Sequence, residues 1–328
     1  MRREYSCANF DLDFDLDSDD DSFSYLKTEN NQPSAPNLTS NISTQVNENI
    51  EDWIYIEDTK KSLNYTGKPI LNSNLYEFTC EEDNKKFLAK IGTLSEIKKE
   101  ANILHDLLSY DNILHWKRYF TEEGKTYILY EHCKNIITLE EYLNQRDSLP
   151  EYEVKPIITE LIKMLKYLKS QNIIHRNLNL SNIIMTKGGR IKIMGFNTAI
   201  RLSSGQNYYE QDITWDKKNY VLSPESFSFS EETKNDDYSF DSDNYSDNYS
   251  DNARFSYESD LWAVGRIMYY LLIGSYPYIN KDTDMKKIFK KKCYGISNKA
   301  KDCLRRLLEP NPKKRHKLNQ IFMLPFFK

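Results

Sequence analysis

No run in the 328-residue chain approaches the ~20 consecutive apolar residues that a bilayer-spanning helix requires. A membrane-embedded helix is therefore not expected. The opening residues, Met1-Arg2-Arg3-Glu4-Tyr5-Ser6-Cys7, lead into aspartates without an apolar stretch, so no secretory leader is expected either. Cysteine is scarce: Cys7, Cys80, Cys133, Cys293 and Cys303 are odd in number, scattered and in no metal-ligand spacing. Reduced thiols in a cytoplasmic or nuclear protein are the expectation.

What is present is charge, unevenly distributed. The formal net charge is −4, yet residues 1–50 carry 3 basic against 10 acidic side chains and residues 226–259 carry 2 against 9. Residues 260–328 carry 16 basic against 5 acidic. The first segment is Asp, Ser and Asn with few aliphatics, too polar to offset ordering entropy, and reads as a disordered acidic tail over 1–50. Within it Phe10 to Asp17 alternates apolar and acidic residues, which suits either a docking motif or a solvated tail. An acidic segment is expected to lie against the basic last fifth of the chain.

Strand signals follow at Trp53–Ile56, Asn74–Phe78 and Lys86–Ile91, then a helix from about Ser95 to Leu108 and a buried strand at Tyr127–Tyr130. Beyond that the period turns helical. Val154, Ile157, Ile158, Leu161, Leu165 and Leu168 form one stripe, and the nearly all-apolar stretch Leu261–Ile273 reads as a buried central helix. Strands first and helices after predict an α+β architecture with two lobes. The tandem Asp243-Asn244-Tyr245-Ser246 and Asp247-Asn248-Tyr249-Ser250 marks a low-complexity acidic loop insertion at about 228–252.

The stretch His175-Arg176-Asn177-Leu178-Asn179-Leu180-Ser181-Asn182 resembles the His-Arg-Asp catalytic loop of eukaryotic protein kinases. Its surroundings come in the family's order. Ala89-Lys90 is similar to the Ala-Lys strand, Glu100-Ala101 to the αC helix, and Tyr130-Glu131-His132-Cys133 to gatekeeper and hinge. Gly195-Phe196-Asn197 stands where Asp-Phe-Gly belongs, and Ser223-Pro224-Glu225 resembles Ala-Pro-Glu. Ser259 to Gly265 resembles the start of the large lobe's central helix, and Arg315 matches the partner of the Ala-Pro-Glu carboxylate. The chain is thus identified as a member of the family, closest to its serine/threonine branch, over about 51–328. The resemblance implies a bilobal protein-kinase-like fold. Its small antiparallel β N-lobe, with the αC helix, spans about 51–131, and its larger, mainly helical C-lobe spans about 132–328.

It also shows which chemistry is missing. Asn177 replaces the catalytic Asp, and an amide accepts no proton near neutral pH. Asn179 replaces the loop Lys, and Gly195 replaces the metal-binding Asp, leaving Asn182 as a poor site for a hard dication. Lys68, Ile70 and Ser73, in the turn expected between strands one and two, stand at the three Gly-loop positions, and Lys217-Lys218-Asn219-Tyr220 departs from the usual substrate-side loop.

The resemblance therefore implies a pseudokinase, with no intact catalytic residue, no metal site and no required cofactor. Weak ATP binding would use Lys90, Glu100 and Asn182, with Glu131 and Cys133 at the hinge and Tyr130 narrowing the adenine pocket. Lys90 would pair with Glu100 or, one turn earlier, Glu96. His175 and Phe196 would join Leu104 and Trp116 in a column linking the lobes, and Asp260 would hold the catalytic loop from below. Ser203, Ser204 and Thr214 lie in the activation-segment equivalent, where Arg176 could receive a phosphate. The expected role is a scaffold or allosteric regulator of a kinase pathway, with another protein, an active kinase or its substrate, as partner. The alternatives are a weak or unconventional ATP-dependent kinase, or a binder of acidic surfaces or nucleic acid through the Lys286–Lys292 cluster.

Overall fold

A computed structural model describes residues 65–70, 75–213, 223–226, 251–277 and 295–328, apart from the single positions 82, 123, 145 and 187. The acidic tail, the Trp53–Ile56 stretch, the tandem repeat, Lys217–Tyr220 and the Lys286–Lys292 cluster lie outside these residues.

The first lobe is a five-stranded antiparallel sheet: β1 (Tyr65–Pro69), β2 (Leu75–Cys80), β3 (Lys86–Gly92), β4 (Trp116–Glu122) and β5 (Lys125–Glu131), in the order β1-β2-β3-β5-β4. Its central strands β3 and β5 bury residues on both faces, Ile128 and Tyr130 joining the main core while Tyr127 and Leu129 join a smaller cluster. In β3, Ala89 packs with Phe78, Phe120, Tyr127 and Leu129, while Leu88 and Leu75 face the main core. Gly67 and Lys68 lie inside β1, opposite Phe78 and Glu77, rather than in the turn that the sequence suggested. A side chain at position 67 would strike the Phe78 ring, its Cβ standing 2.6 Å from Phe78 Cε1, so glycine here permits the close packing of β1 on β2.

Helix α1 (Leu94–His105) starts one residue after β3. Thr93 caps it by accepting from the Glu96 amide, while Glu96 reaches back to the Thr93 N–H, a reciprocal capping box. The helix ends at His105, three residues earlier than the sequence suggested, and Leu108 falls in the following turn, exposed. Ile97, Ala101 and Leu104 bury their face against the sheet side of the core.

The second lobe opens with the short strand β6 (Ile137–Thr138) and helix α2 (Leu139–Leu143), then helix α3 (Glu151–Ser170), whose predicted stripe is buried as expected. Strands β7 (Ile173–Ile174), β8 (Ile183–Met185), β9 (Ile191–Ile193) and β10 (Ile200–Arg201) follow. They form two small sheets, β6-β8-β9 and β10-β7, that frame the loops between them. Strand β11 (Tyr208–Ile213) pairs antiparallel with β12 (Asp251–Ser256), so Asp251 and Asn252 belong to a ladder and not to the loop insertion assigned to 228–252.

Helix α4 (Tyr257–Ile273) is buried nearly all round, as its apolar sequence predicted, and α5 (Asn298–Leu307) lies against it. The contact is close at Gly265, where an added Cβ would stand 2.8 Å from Leu307 Cβ. Gly274 ends α4 in the left-handed region at φ 81, the conformation that glycine adopts without steric penalty. Among the described residues no helix is long and apolar enough to cross a membrane.

Candidate functional site

The cleft between the lobes collects the chemistry-bearing residues. Lys90 stands on the central strand β3, opposite Ile128 of β5, and aims its ammonium at α1. There Glu100, fully buried, accepts from Lys90 Nζ at 3.1 Å. The connection of one residue between β3 and α1 brings Glu100 within reach despite a spacing of only ten. Glu96 is committed to the capping box, which resolves the choice between the two carboxylates.

Glu100 is the hub of a wider network. Its Oε1 accepts from the Tyr130 hydroxyl at 2.9 Å and from the Phe196 backbone N–H at 3.1 Å. Burial and the adjoining carboxylate hold the Tyr130 phenol well above its usual pKa, so it stays protonated and donates. The Asn197 side-chain oxygen lies 3.5 Å from Lys90 Nζ. Sequence reasoning placed Tyr130 at the pocket wall and had no signal for its partner.

The loop after β7 is pinned from below. Asp260 of α4 accepts the His175 N–H at 2.7 Å and the Arg176 N–H at 2.9 Å, which supports Arg176 at φ 71, in the left-handed region. Burial raises the Asp260 carboxyl to about 6 even though both N–H bonds oppose the shift. His175 is buried, its pKa pushed down to about 4 by burial. It lies beside the Met194 carbonyl at 3.2 Å and the Asn177 N–H at 3.3 Å, partners that suit one neutral tautomer. Its ring meets that of Phe196 edge-on, with centres 4.5 Å apart, and Phe196, Leu104 and Trp116 all lie in the main buried core.

Where a base would stand, Asn177 Oδ1 accepts from Asn179 Nδ2 at 2.9 Å. Asn179 Oδ1 in turn accepts from Ser181 Oγ at 2.7 Å and from the Asn182 N–H at 3.0 Å. Asn182 Nδ2 donates to the Asn177 carbonyl at 2.9 Å. Each of the three asparagine side chains thus makes at least one hydrogen bond within this loop. Gly195 follows Met194 at φ 83, and the Cβ of any other residue there would stand 2.5–2.6 Å from the Asn182 carboxamide atoms. Asn182 thus occupies the space that a longer side chain at 195 would need.

At the hinge, Glu131 turns its carboxylate to Lys192 Nζ at 2.7 Å and the His115 N–H at 3.2 Å. Burial pushes this carboxyl up, but Lys192 and the His115 amide outweigh it, and its net shift is downward. The Glu131 side chain therefore ties the hinge to β9. Cys133 is half-buried, and burial pushes its thiol up. Arg315, fully buried, grips Glu225 with two parallel bonds of 2.6 and 2.8 Å, the pair that the family resemblance implied. It also donates to the Glu309 and Glu258 carbonyls.

This arrangement, strand Lys to helix Glu and loop to buried Asp, agrees with the comparisons. The protein kinase domain family matches residues 73–327. The chain belongs to that family. A probable serine/threonine-protein kinase CCRP1 of Zea mays is 29% identical over 258 residues, 76% of this chain and 36% of the relative. A probable serine/threonine-protein kinase PLK of Dictyostelium discoideum is 29% identical over 324 residues, 92% of this chain and 29% of the relative. The serine/threonine-protein kinase polo of Drosophila melanogaster is 28% identical over 251 residues, 75% of this chain and 38% of the relative. The chain spans about a third of the length of these relatives.

A protein kinase ordinarily engages a magnesium–nucleotide complex. The residues of this kinase domain do not fit the metal. Position 195 has no side chain, Asn182 offers one neutral oxygen, and its amide nitrogen is already spent on the Asn177 carbonyl. Among the described residues, no group of three or more His, Cys, Asp or Glu could hold a metal ion. The Lys90–Glu100 pair, by contrast, is assembled.

Proposed function

We propose that this protein-kinase domain is a pseudokinase: it transfers no phosphate and works by docking on another protein, an active kinase or a kinase substrate, whose conformational balance it shifts. The observation that carries the reading is the hydrogen-bonded loop of Asn177, Asn179 and Asn182, three neutral amides at the family's base, cation and metal-ligand positions, facing a glycine at 195. Loss of a positioned general base alone lowers a rate by about 10²–10⁴, and here the metal carboxylate is absent as well. Meanwhile, among the described residues, Lys90–Glu100, the Asp260 bond to the loop and Glu225–Arg315 are in place. A folded kinase surface without its chemistry suits recognition. No cofactor is required on this reading.

The test is phosphotransfer by the purified full chain with ATP and Mg²⁺ or Mn²⁺, against generic substrates and itself. No incorporation above a no-enzyme blank is expected. Incorporation that disappears in Lys90→Ala would overturn the proposal. A second reading, a weak nucleotide-dependent transferase, is favoured by the assembled Lys90–Glu100 pair. It requires that ATP raise the melting temperature, because a ligand of the folded state stabilises it.

A further inference from the structure

The segment between Gly195-Phe196-Asn197 and Ser223-Pro224-Glu225 holds the strand β11, and its partner is the strand that runs straight into the buried helix α4. Six residues of each strand pair, from Tyr208 opposite Ser256 to Ile213 opposite Asp251. A two-stranded ribbon on its own is marginal in water, so something beyond its own ladder must hold it. Three features do. Phe255 and Ala253 are buried and pack with Tyr209 in a cluster of their own. Across the ladder, Arg254 meets Glu210 directly opposite, with bonds of 2.9 and 2.6 Å, and lies 4.3 Å from the Tyr208 ring centre.

The third feature is Arg176. Its guanidinium carbon lies 4.2 Å from the Phe255 ring centre and 5.3 Å from that of Tyr209. One aromatic comes from each strand, so a single cation clasps both. The Arg176 backbone N–H is held by Asp260, which lies in the first turn of the same helix that β12 enters. Ser256, the last residue of β12, caps that helix by accepting the Ser259 N–H. Arg176 and Phe255 are thus both referenced to one rigid element. A guanidinium over aromatic faces is stabilised by the ring quadrupoles, and more so when partly withdrawn from water.

We infer that this hairpin, clasped by Arg176, orders the activation-segment strand without a phosphate, so that phosphorylation at Ser203 or Ser204 is not what sets its conformation. The faces of Phe255 and Tyr209 hold the Arg176 guanidinium across the ladder, a contact that needs no phosphate to form. The inference concerns how the segment is ordered and holds whether or not the protein transfers phosphate, so the two can fail separately.

The test is hydrogen exchange on the full chain after phosphatase treatment, with mass spectrometry verifying that no phosphate remains. Amides of 208–213 and 251–256 are expected to exchange slowly in this unphosphorylated protein. Phe255→Leu keeps apolar bulk but removes the ring, and Arg176→Gln removes the charge. Each is expected to speed exchange at β11 about ten-fold while α3 and α4 keep their protection. If either variant fails to fold, Tyr209→Leu, at a half-buried ring, gives the same readout. Slow exchange that appears only when Ser203 or Ser204 carries phosphate would overturn the inference. So would unaltered exchange at β11 in the variants.

Discussion

Restoring an aspartate at Gly195 is the obvious attempt to bring back a metal ligand, and the structure predicts that it harms the fold instead. The backbone there sits at φ 83, and a Cβ would stand 2.5 Å from Asn182 Cγ and 2.6 Å from its amide atoms. Asn182 must therefore swing away and lose its 2.9 Å bond to the Asn177 carbonyl. Loss of that bond costs about 1 kcal/mol, and holding a residue with a Cβ in the left-handed region costs about 1 more. A total near 2 kcal/mol corresponds to a fall in Tm of about 4–8 °C for a domain of this size. Because the conflict is at Cβ, Gly195→Ala should lose nearly as much as Gly195→Asp. Adding Asn182→Ala removes the atoms in the way, so the double variant should lose less than the sum of the singles, by about 1 kcal/mol. The assay is thermal or urea unfolding of the parent, the three single variants and the double variant, with and without Mg²⁺. Strict additivity, or an aspartate variant as stable as the parent, would refute the reasoning.

Other consequences can be checked alongside. Tyr130→Phe removes a buried hydroxyl bond to the Glu100 carboxylate and should cost about 1.5–3 kcal/mol in denaturant midpoint analysis, with the fold otherwise intact. Arg315→Ala leaves Glu225 without its buried partner and strips donors from the Glu258 and Glu309 carbonyls, so a loss of about 3–5 kcal/mol or failure to accumulate in soluble form is expected. Two buried groups oppose each other in pH dependence. His175, lowered from 6.5 to about 4, contributes stability above pH 6.5 that is lost as pH falls towards 4. Asp260, raised from 3.8 to about 6, binds its proton more tightly folded than unfolded, so its contribution grows as pH falls from 6 to 4. Each is worth about 3 kcal/mol at most, with opposite signs. His175→Leu should therefore become relatively more stable as pH drops through this window, and a steeper acid loss in urea titrations would contradict the assignment.

Much of the fold was legible in sequence because its signals are local. The stripe from Val154 to Leu168 and the apolar run from Leu261 to Ile273 carry helix and burial together, and α3 and α4 followed. The resemblance to the kinase family implied the Glu225–Arg315 pair and the support from Asp260, and both are present. Failures fell where the deciding contact is distant. The strand β4 has no clean alternation, its Trp116 and Phe120 being buried beside half-buried Arg118 and Tyr119, and only pairing with β5 defines it. Leu108 continues the helical stripe in sequence, but the chain turns after Asp106, whose carboxylate meets Arg201 of β10. The alternation Ala253-Arg254-Phe255 at the end of an acidic tract is the one local hint of β12, and it was overshadowed by the low-complexity residues before it.

By itself the sequence determined the family, the two-lobed order of elements and which residues depart from the family's motifs, since each is a property of residue identity and order along the chain. Only the tertiary structure decided what stands in the vacated places. It put the Asn182 amide over Gly195, joined the Tyr130 hydroxyl to Glu100, and closed Arg176 between two rings from strands on either side of residues 214–250. Those contacts depend on packing between segments far apart in the chain. A substitution shows what is lost, but what takes its place is settled by whichever neighbour the fold brings within van der Waals or hydrogen-bond reach.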